Sequence, residues 1–190
     1  MNYSGSITDV VGITVGHHTD LVNGTGCTAI LSKNNAVGGI DVRGAAPGSR
    51  DTELLDPVAG AQWINAINLT GGSVFGLDSS GGVIRYLEEE GVGIKMGRIT
   101  IPLVSAAVIF DLGFINHKVR PVIEDGYNAA KSASPEFETG SVGAGTGATA
   151  AKLLGQPASI KGGIGTASVK VHGGATVGAL IVVNAIGDVI

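Results

Sequence analysis

Ala179-Leu180-Ile181-Val182-Val183-Asn184-Ala185-Ile186-Gly187-Asp188-Val189-Ile190 reads as an apolar strand carrying one amide, with no polar tail, helix stop or turn cluster behind it. A strand edge left bare in this way is an aggregation hazard, so the stretch is expected to be completed by something outside these 190 residues. The sequence therefore predicts one half of a larger fold, whose other half is a second chain or a segment cut away. Part of the functional site is then expected on that other half.

Working outward, 44% hydrophobic residues over this length can bury a real core, and residues 1–190 read as a single domain. Glycine makes up 32 of 190 residues, against an average of about 7%, without a collagen period or a Pro and Ser bias, so the glycines are placed for backbone geometry. Twelve basic residues against 16 acidic ones, with no basic patch, argue against a nucleic-acid partner. Cys27 is the single cysteine and there is no cationic start followed by an apolar stretch, which points to the cytoplasm. The apolar runs are short and broken by glycine, so no membrane partner is expected.

Short β-branched or apolar runs at 11–15, 26–31 and 36–42, separated by turn clusters, predict an antiparallel meander. A polar loop over 44–57 follows, then a strand over 63–69. Helical spacing of Val74, Leu77, Val83, Ile84 and Leu87 predicts a helix over 73–90 ending at Gly91. Further candidates are a strand over 101–112, a helix over 123–132, a glycine-rich turn leading into a short helix over 148–154, and strands over 159–163, 167–172 and 176–185. Strands, then helices, then strands predict a mixed α/β sandwich with helices outside the sheets.

Several motifs bear on chemistry. Thr70-Gly71-Gly72-Ser73 puts two glycines at a strand-to-helix junction, where outward N–H groups could receive an anion or a developing oxyanion. Gly143-Ala144-Gly145-Thr146-Gly147-Ala148 fits the dinucleotide fingerprint, but it follows no apolar strand, and no Asp or Glu stands between Ala148 and Ala185. His17, His18, His117 and His172 lack metal-ligand spacing, so neither metal nor cofactor is expected. Asn184 and Lys152 are polar residues in apolar or small-residue surroundings. Each reads equally as an ordinary strand-end amide or exposed lysine, or as an oxyanion donor and a proton-handling group.

Four separated stretches carry a resemblance: Asp41-Val42-Arg43-Gly44-Ala45-Ala46-Pro47-Gly48-Ser49-Arg50, Leu69-Thr70-Gly71-Gly72-Ser73-Val74-Phe75-Gly76-Leu77-Asp78, Val142-Gly143-Ala144-Gly145-Thr146-Gly147-Ala148 and Val182-Val183-Asn184-Ala185-Ile186-Gly187-Asp188-Val189. Together they resemble the DmpA-type peptidase family of L-aminopeptidase/D-esterases, β-peptidyl aminopeptidases and 6-aminohexanoate oligomer hydrolases. The resemblance implies a four-layer αββα sandwich of the ornithine acetyltransferase type. It also implies a precursor that cuts itself before a Ser or Thr, which becomes the N-terminal nucleophile of a β chain. This chain would be the α chain, working on a peptide or small amide within a homo-oligomer of αβ units.

The resemblance further implies Asn184 as the oxyanion amide and Lys152 as a lysine near the nucleophile. Phe110 falls where several members carry a Tyr, and Val108 where aminopeptidase members carry an acid that holds the substrate ammonium, with Asp111 still beside Phe110. Phe110, Asp111, Gly71 and Gly72 are therefore the candidate substrate-binding residues. Two other readings remain: a catalytically silent binding or scaffold protein of the same fold, and a nucleotide-binding protein through residues 143–148.

Overall fold

Two runs of mostly buried or half-buried residues, joined by a turn at Asn23-Gly24, start the main sheet. The Asp20 carboxylate accepts the Asn23 N–H at 2.9 Å and the Asp20 carbonyl accepts that of Gly24 at 2.9 Å. The computed structural model describes residues 4–61 and 63–188, so Val189 and Ile190 of the terminal stretch lie outside the described residues. Strand β1 (Ile13–Asp20) and β2 (Thr25–Ala36) form this hairpin, in register from Ile13 against Ser32 to Asp20 against Thr25.

After β2 come β3 (Ser49–Arg50), β4 (Ile64–Thr70), helix α1 (Ser79–Glu89), the small hairpin β5 (Ile94–Met96) and β6 (Ile99–Ile101), β7 (Val104–Val108) and helix α2 (Ile123–Lys131). The five-stranded sheet runs β1-β2-β4-β7-β3, with β4 and β7 parallel and the other pairs antiparallel. Helix α1 makes the crossover that a parallel pair requires.

Both helices cover one face. Cys27, Ala29 and Leu31 from β2, Ala66 from β4 and Val104 from β7 pack with Val83 and Leu87 of α1 and Ala129 and Ala130 of α2. Small residues let the backbones come close: a Cβ on Gly82 would stand 1.8 Å from the Ile123 carbonyl oxygen, and one on Gly126 1.8 Å from that of Ser79. Helix α2 starts where the Asp125 carboxylate accepts the Val122 N–H at 2.9 Å, and the same carboxylate lies 3.2 Å from His18 on β1.

The other face of the sheet receives the glycine-rich segment. Ala144 donates its N–H to Thr28 Oγ1 of β2 at 3.0 Å, and the Ile164 region packs behind Gly145. Beyond it lie β8 (Thr149–Ala150), β9 (Ile160–Lys161) and the hairpin of β10 (Gly163–Lys170) and β11 (Thr176–Val183). One face of that hairpin covers the N-terminal turn, where the Ile7 N–H donates to Thr166 Oγ1 at 2.7 Å. The opposite face carries Val169, Val177, Ile181 and Val183, all exposed. The chain thus supplies a helix layer, the main sheet and part of a second β layer. No helix of the described residues is long and apolar enough to cross a membrane.

Four expectations need correction. The strand expected over 36–42 ends with β2 at Ala36. The one expected over 101–112 shrinks to β7 because Pro102, which cannot donate to a ladder, separates it from Ile101 in β6. The helix over 73–90 divides into a 3₁₀ segment, Ser73–Asp78, and α1.

The helix over 148–154 does not form. Ala-rich composition favours it, but Thr149 spends its N–H on Asn184, Ala151 sits at φ 58°, and the Lys161 ammonium takes the carbonyls of Gly145, Ala148 and Gly162. Tertiary hydrogen bonds outweigh a propensity worth tenths of a kcal/mol per residue. Only the 3₁₀ turn Lys152–Leu154 remains helical.

Candidate active site

Past Val108 the chain keeps pairing with β4, since Ile109 donates its N–H to the Thr70 carbonyl at 2.8 Å, and this delivers Phe110 and Asp111 to the sheet's end. Asp111 is buried. Its Oδ1 accepts the Gly72 N–H at 2.7 Å and its Oδ2 the Thr25 hydroxyl at 2.8 Å. Burial pushes the Asp111 carboxyl above its ordinary value, against the pull of the Gly72 N–H, the Thr25 hydroxyl and the Lys152 charge.

Gly71 and Gly72 are required here for a different reason than anion binding. A Cβ on Gly71 would stand 2.0 Å from Asp111 Oδ2, and Gly72 has φ 80°, the left-handed region that favours glycine. Their N–H groups do not point outward: Gly71 donates to the Gly26 carbonyl at 2.9 Å, Gly72 to Asp111, and Ser73 to the Ile109 carbonyl at 3.0 Å. The two glycines build the seat of Asp111.

A second set of bonds brings Lys152 and Asn184 to the same place. Ala151 and Lys152 donate their N–H groups to the carbonyls of Gly187 and Ile186, each at 2.9 Å, aligning the two segments side by side. Lys152 Nζ donates to Asn184 Oδ1 at 2.8 Å and to the Asn184 carbonyl at 3.0 Å, and the Thr149 N–H also reaches Oδ1 at 3.1 Å. Asn184 Nδ2 donates to the Phe110 carbonyl at 3.1 Å.

These neighbours fix which way the amide points, because a flipped amide would set its NH₂ against two donors. One of the two N–H donors on Nδ2 is taken by Phe110, and the other has no acceptor among the described residues. Burial lowers the Lys152 ammonium below its ordinary value, while the charge of Asp111 acts in the opposite direction.

All six residues singled out in the sequence thus meet in one network: Gly71 and Gly72 around Asp111, Asp111 next to Phe110, Phe110 to Asn184, and Asn184 to Lys152. Phe110 joins through its backbone carbonyl, while its ring is exposed. Thr25, Thr149 and Lys161 are supporting residues that sequence reasoning missed. A Thr beside glycines reads as a turn residue, and a lysine facing three carbonyls has no local signature. Cys27 is no rival nucleophile, since burial, with the Asp125 charge nearby, pushes its thiol up to about 12.

Residues 143–148 do not form a phosphate cradle. The N–H groups of Gly143 and Ala144 are spent on Thr19 and Thr28, and those of Gly145, Thr146 and Ala148 on Val142, Gly143 and Gly145. The segment is a buried turn, and the dinucleotide fingerprint arises from close packing.

The family model for peptidase family S58 matches residues 5–189. The chain belongs to peptidase family S58. Its S58 relatives include an uncharacterized aminopeptidase of Mycobacterium leprae, 42% identical over 201 residues that cover 97% of this chain and 54% of the relative. Another, from Mycobacterium tuberculosis H37Rv, is 44% identical over 193 residues with the same coverage. The chain spans about half the length of the curated relatives it matches.

Among solved structures, a protein of Pyrococcus horikoshii OT3 is similar with a TM-score of 0.73 and 31% identity, covering 97% of this chain and 56% of that one. The L-aminopeptidase D-Ala-esterase/amidase of Ochrobactrum anthropi, described as a variant of the Ntn hydrolase fold, gives a TM-score of 0.75 at 22% identity, covering 96% and 54%. A Burkholderia β-aminopeptidase gives 0.68 at 26%, covering 96% and 53%. The S58 chain therefore has the mixed α/β sandwich expected, in its Ntn hydrolase form.

Proposed function

We propose that this S58 chain is the α part of a cytoplasmic, self-processing aminopeptidase or related amide hydrolase. Its nucleophile is a Ser or Thr at the N-terminus of a β chain from the same precursor. The observation that carries the reading is Asn184, an amide clamped by Lys152, Thr149 and Phe110 with one N–H left over. The hydroxyl attacks the amide carbon, Asn184 donates that N–H to the oxyanion, the amine leaves with a proton, and water releases the acyl group. The exposed apolar face of the β10–β11 hairpin supports a covering β chain, because an unpartnered patch of this kind marks an interface. The αβ units assemble into a homo-oligomer.

Lys152 suits proton handling. Two of its N–H groups are held by Asn184, so the one remaining position carries either the third proton or the lone pair. As burial lowers its pKa from 10.5, the neutral amine becomes available at lower pH. If the neutral form takes the proton, kcat/KM rises with pH and levels off before an ordinary lysine would titrate. Lys152→Arg, which keeps its charge throughout, is expected to remove that limb of the profile, and an unaltered profile would count against the role.

The reading is tested on the full-length protein by intact-mass measurement with N-terminal sequencing. Two chains are expected, the second beginning with Ser or Thr, together with release of amine from short peptide amides. A single uncut chain without hydrolysis would favour the scaffold reading.

A further inference from the structure

Arg120 stands beside the candidate site without a hydrogen-bonding or ionic partner among the described residues. Three other arginines have carboxylate partners: Arg43 with Asp41 at 2.6 Å, Arg85 with Glu124 at 2.9 Å and Arg50 with Asp51 at 3.7 Å. Arg120 has no ion pair or hydrogen bond among the described residues, and its Nε is buried with no acceptor. A buried polar group without a partner is rare enough in a folded protein to need an occupant.

The side chain is also held in place. Pro121 after it is fully buried, its stem crosses Gly72 so closely that a Cβ there would lie 2.9 Å from Arg120 Cβ, and its guanidinium stacks 4.2 Å from the centre of the Phe75 ring. Gly72 is the residue whose N–H holds Asp111, so Arg120 sits one residue contact from the network that ends at Asn184.

We propose that Arg120, stacked on Phe75, is a receptor for a substrate carboxylate beside the amide-cleaving centre. A planar guanidinium fixed by stacking offers its free N–H edge as a fork that matches two carboxylate oxygens, a match that neither lysine nor a neutral amide reproduces. Phe75 and Val74 are half-exposed or more and give the same surface an apolar floor for the chain that bears the carboxylate. The ligand class is a short peptide with a free C-terminal carboxylate or an acidic side chain near the cleaved bond. The inference rests on the hydrolase reading above and adds a specificity to it.

The test uses the full-length protein with Ala-Ala, Ala-Ala amide and Ala-Asp amide. The wild type is expected to favour the carboxylate-bearing peptides over Ala-Ala amide by about 10- to 100-fold in KM, the range of a charge-assisted hydrogen bond. In Arg120→Gln that ratio should fall to near one, with Arg120→Lys in between. Preference for Ala-Ala alone identifies the terminal carboxylate, and preference for Ala-Asp amide alone the side chain.

Equilibrium binding of the same peptides to the Asn184→Ala protein separates the two claims. Carboxylate-dependent binding that Arg120→Gln abolishes, with no turnover of any peptide by the wild type, would leave the receptor standing and remove the hydrolase. Turnover without carboxylate preference in the wild type, or an equal loss on all three peptides in Arg120→Gln, would overturn the receptor.

Discussion

Asn184→Ala is expected to lower turnover by about 100-fold or more, with a much smaller change in KM. An N–H donor aimed at a developing oxyanion acts mainly in the transition state, and removing one such donor typically costs 10²- to 10³-fold in kcat. Asn184 has the arrangement this requires: two donors lock Oδ1, Phe110 takes one N–H of Nδ2, and the other remains for substrate. Alanine also deletes the Oδ1 acceptor of Lys152 and leaves it only the backbone carbonyl of residue 184, so the loss should exceed that of the isolated donor. Steady-state kinetics on short peptide amides provide the check. Asn184→Asp separates the roles, because it keeps an acceptor for Lys152 while supplying no N–H. Full activity in Asn184→Asp would remove the oxyanion role.

The second large effect is structural. Gly126→Ala is expected to destabilise the protein by about 3 kcal/mol or more, at or beyond the upper end of the usual cost of overpacking. The added methyl would enter the Ser79 carbonyl at 1.8 Å, where the obstacle is helix backbone that no rotamer change can move. Helices α1 and α2 must separate, which pulls Val83 and Leu87 away from Ala129 and Ala130 across the shared core. Gly82→Ala meets the Ile123 carbonyl in the same way, and the two substitutions should not add, since either one opens the same contact. Gly60→Ala is the control, with nothing within 4 Å of the new atom and a change expected within about 0.5 kcal/mol. Urea unfolding of the three variants distinguishes a steric cause from the general cost of replacing glycine.

Much of this was legible in the sequence. β2 and β4 showed as short apolar runs because they are largely buried, and α1 showed through helical spacing and α2 through its small-residue stretch because each turns one side to the core. Asn184 and Lys152 stood out as polar residues among apolar or small ones, and the network explains both. What stayed hidden depends on groups distant in sequence. The N–H groups of Gly71 and Gly72 could be located but not their acceptors, since Asp111 lies 39 residues from Gly72. The helix expected over 148–154 failed because Lys161 and Asn184 capture the groups that would have formed it. Arg120 gave no signal in the sequence, because an absent partner is visible only once the surroundings are known.

The bond from Asn184 to the Phe110 carbonyl joins residues 74 positions apart. Until those distant parts of a nascent polypeptide have met, the amide has no fixed direction. On the self-processing reading proposed above, maturation would be timed by completion of the fold: a half-formed molecule would stay a harmless zymogen, able to cut itself only once correctly built.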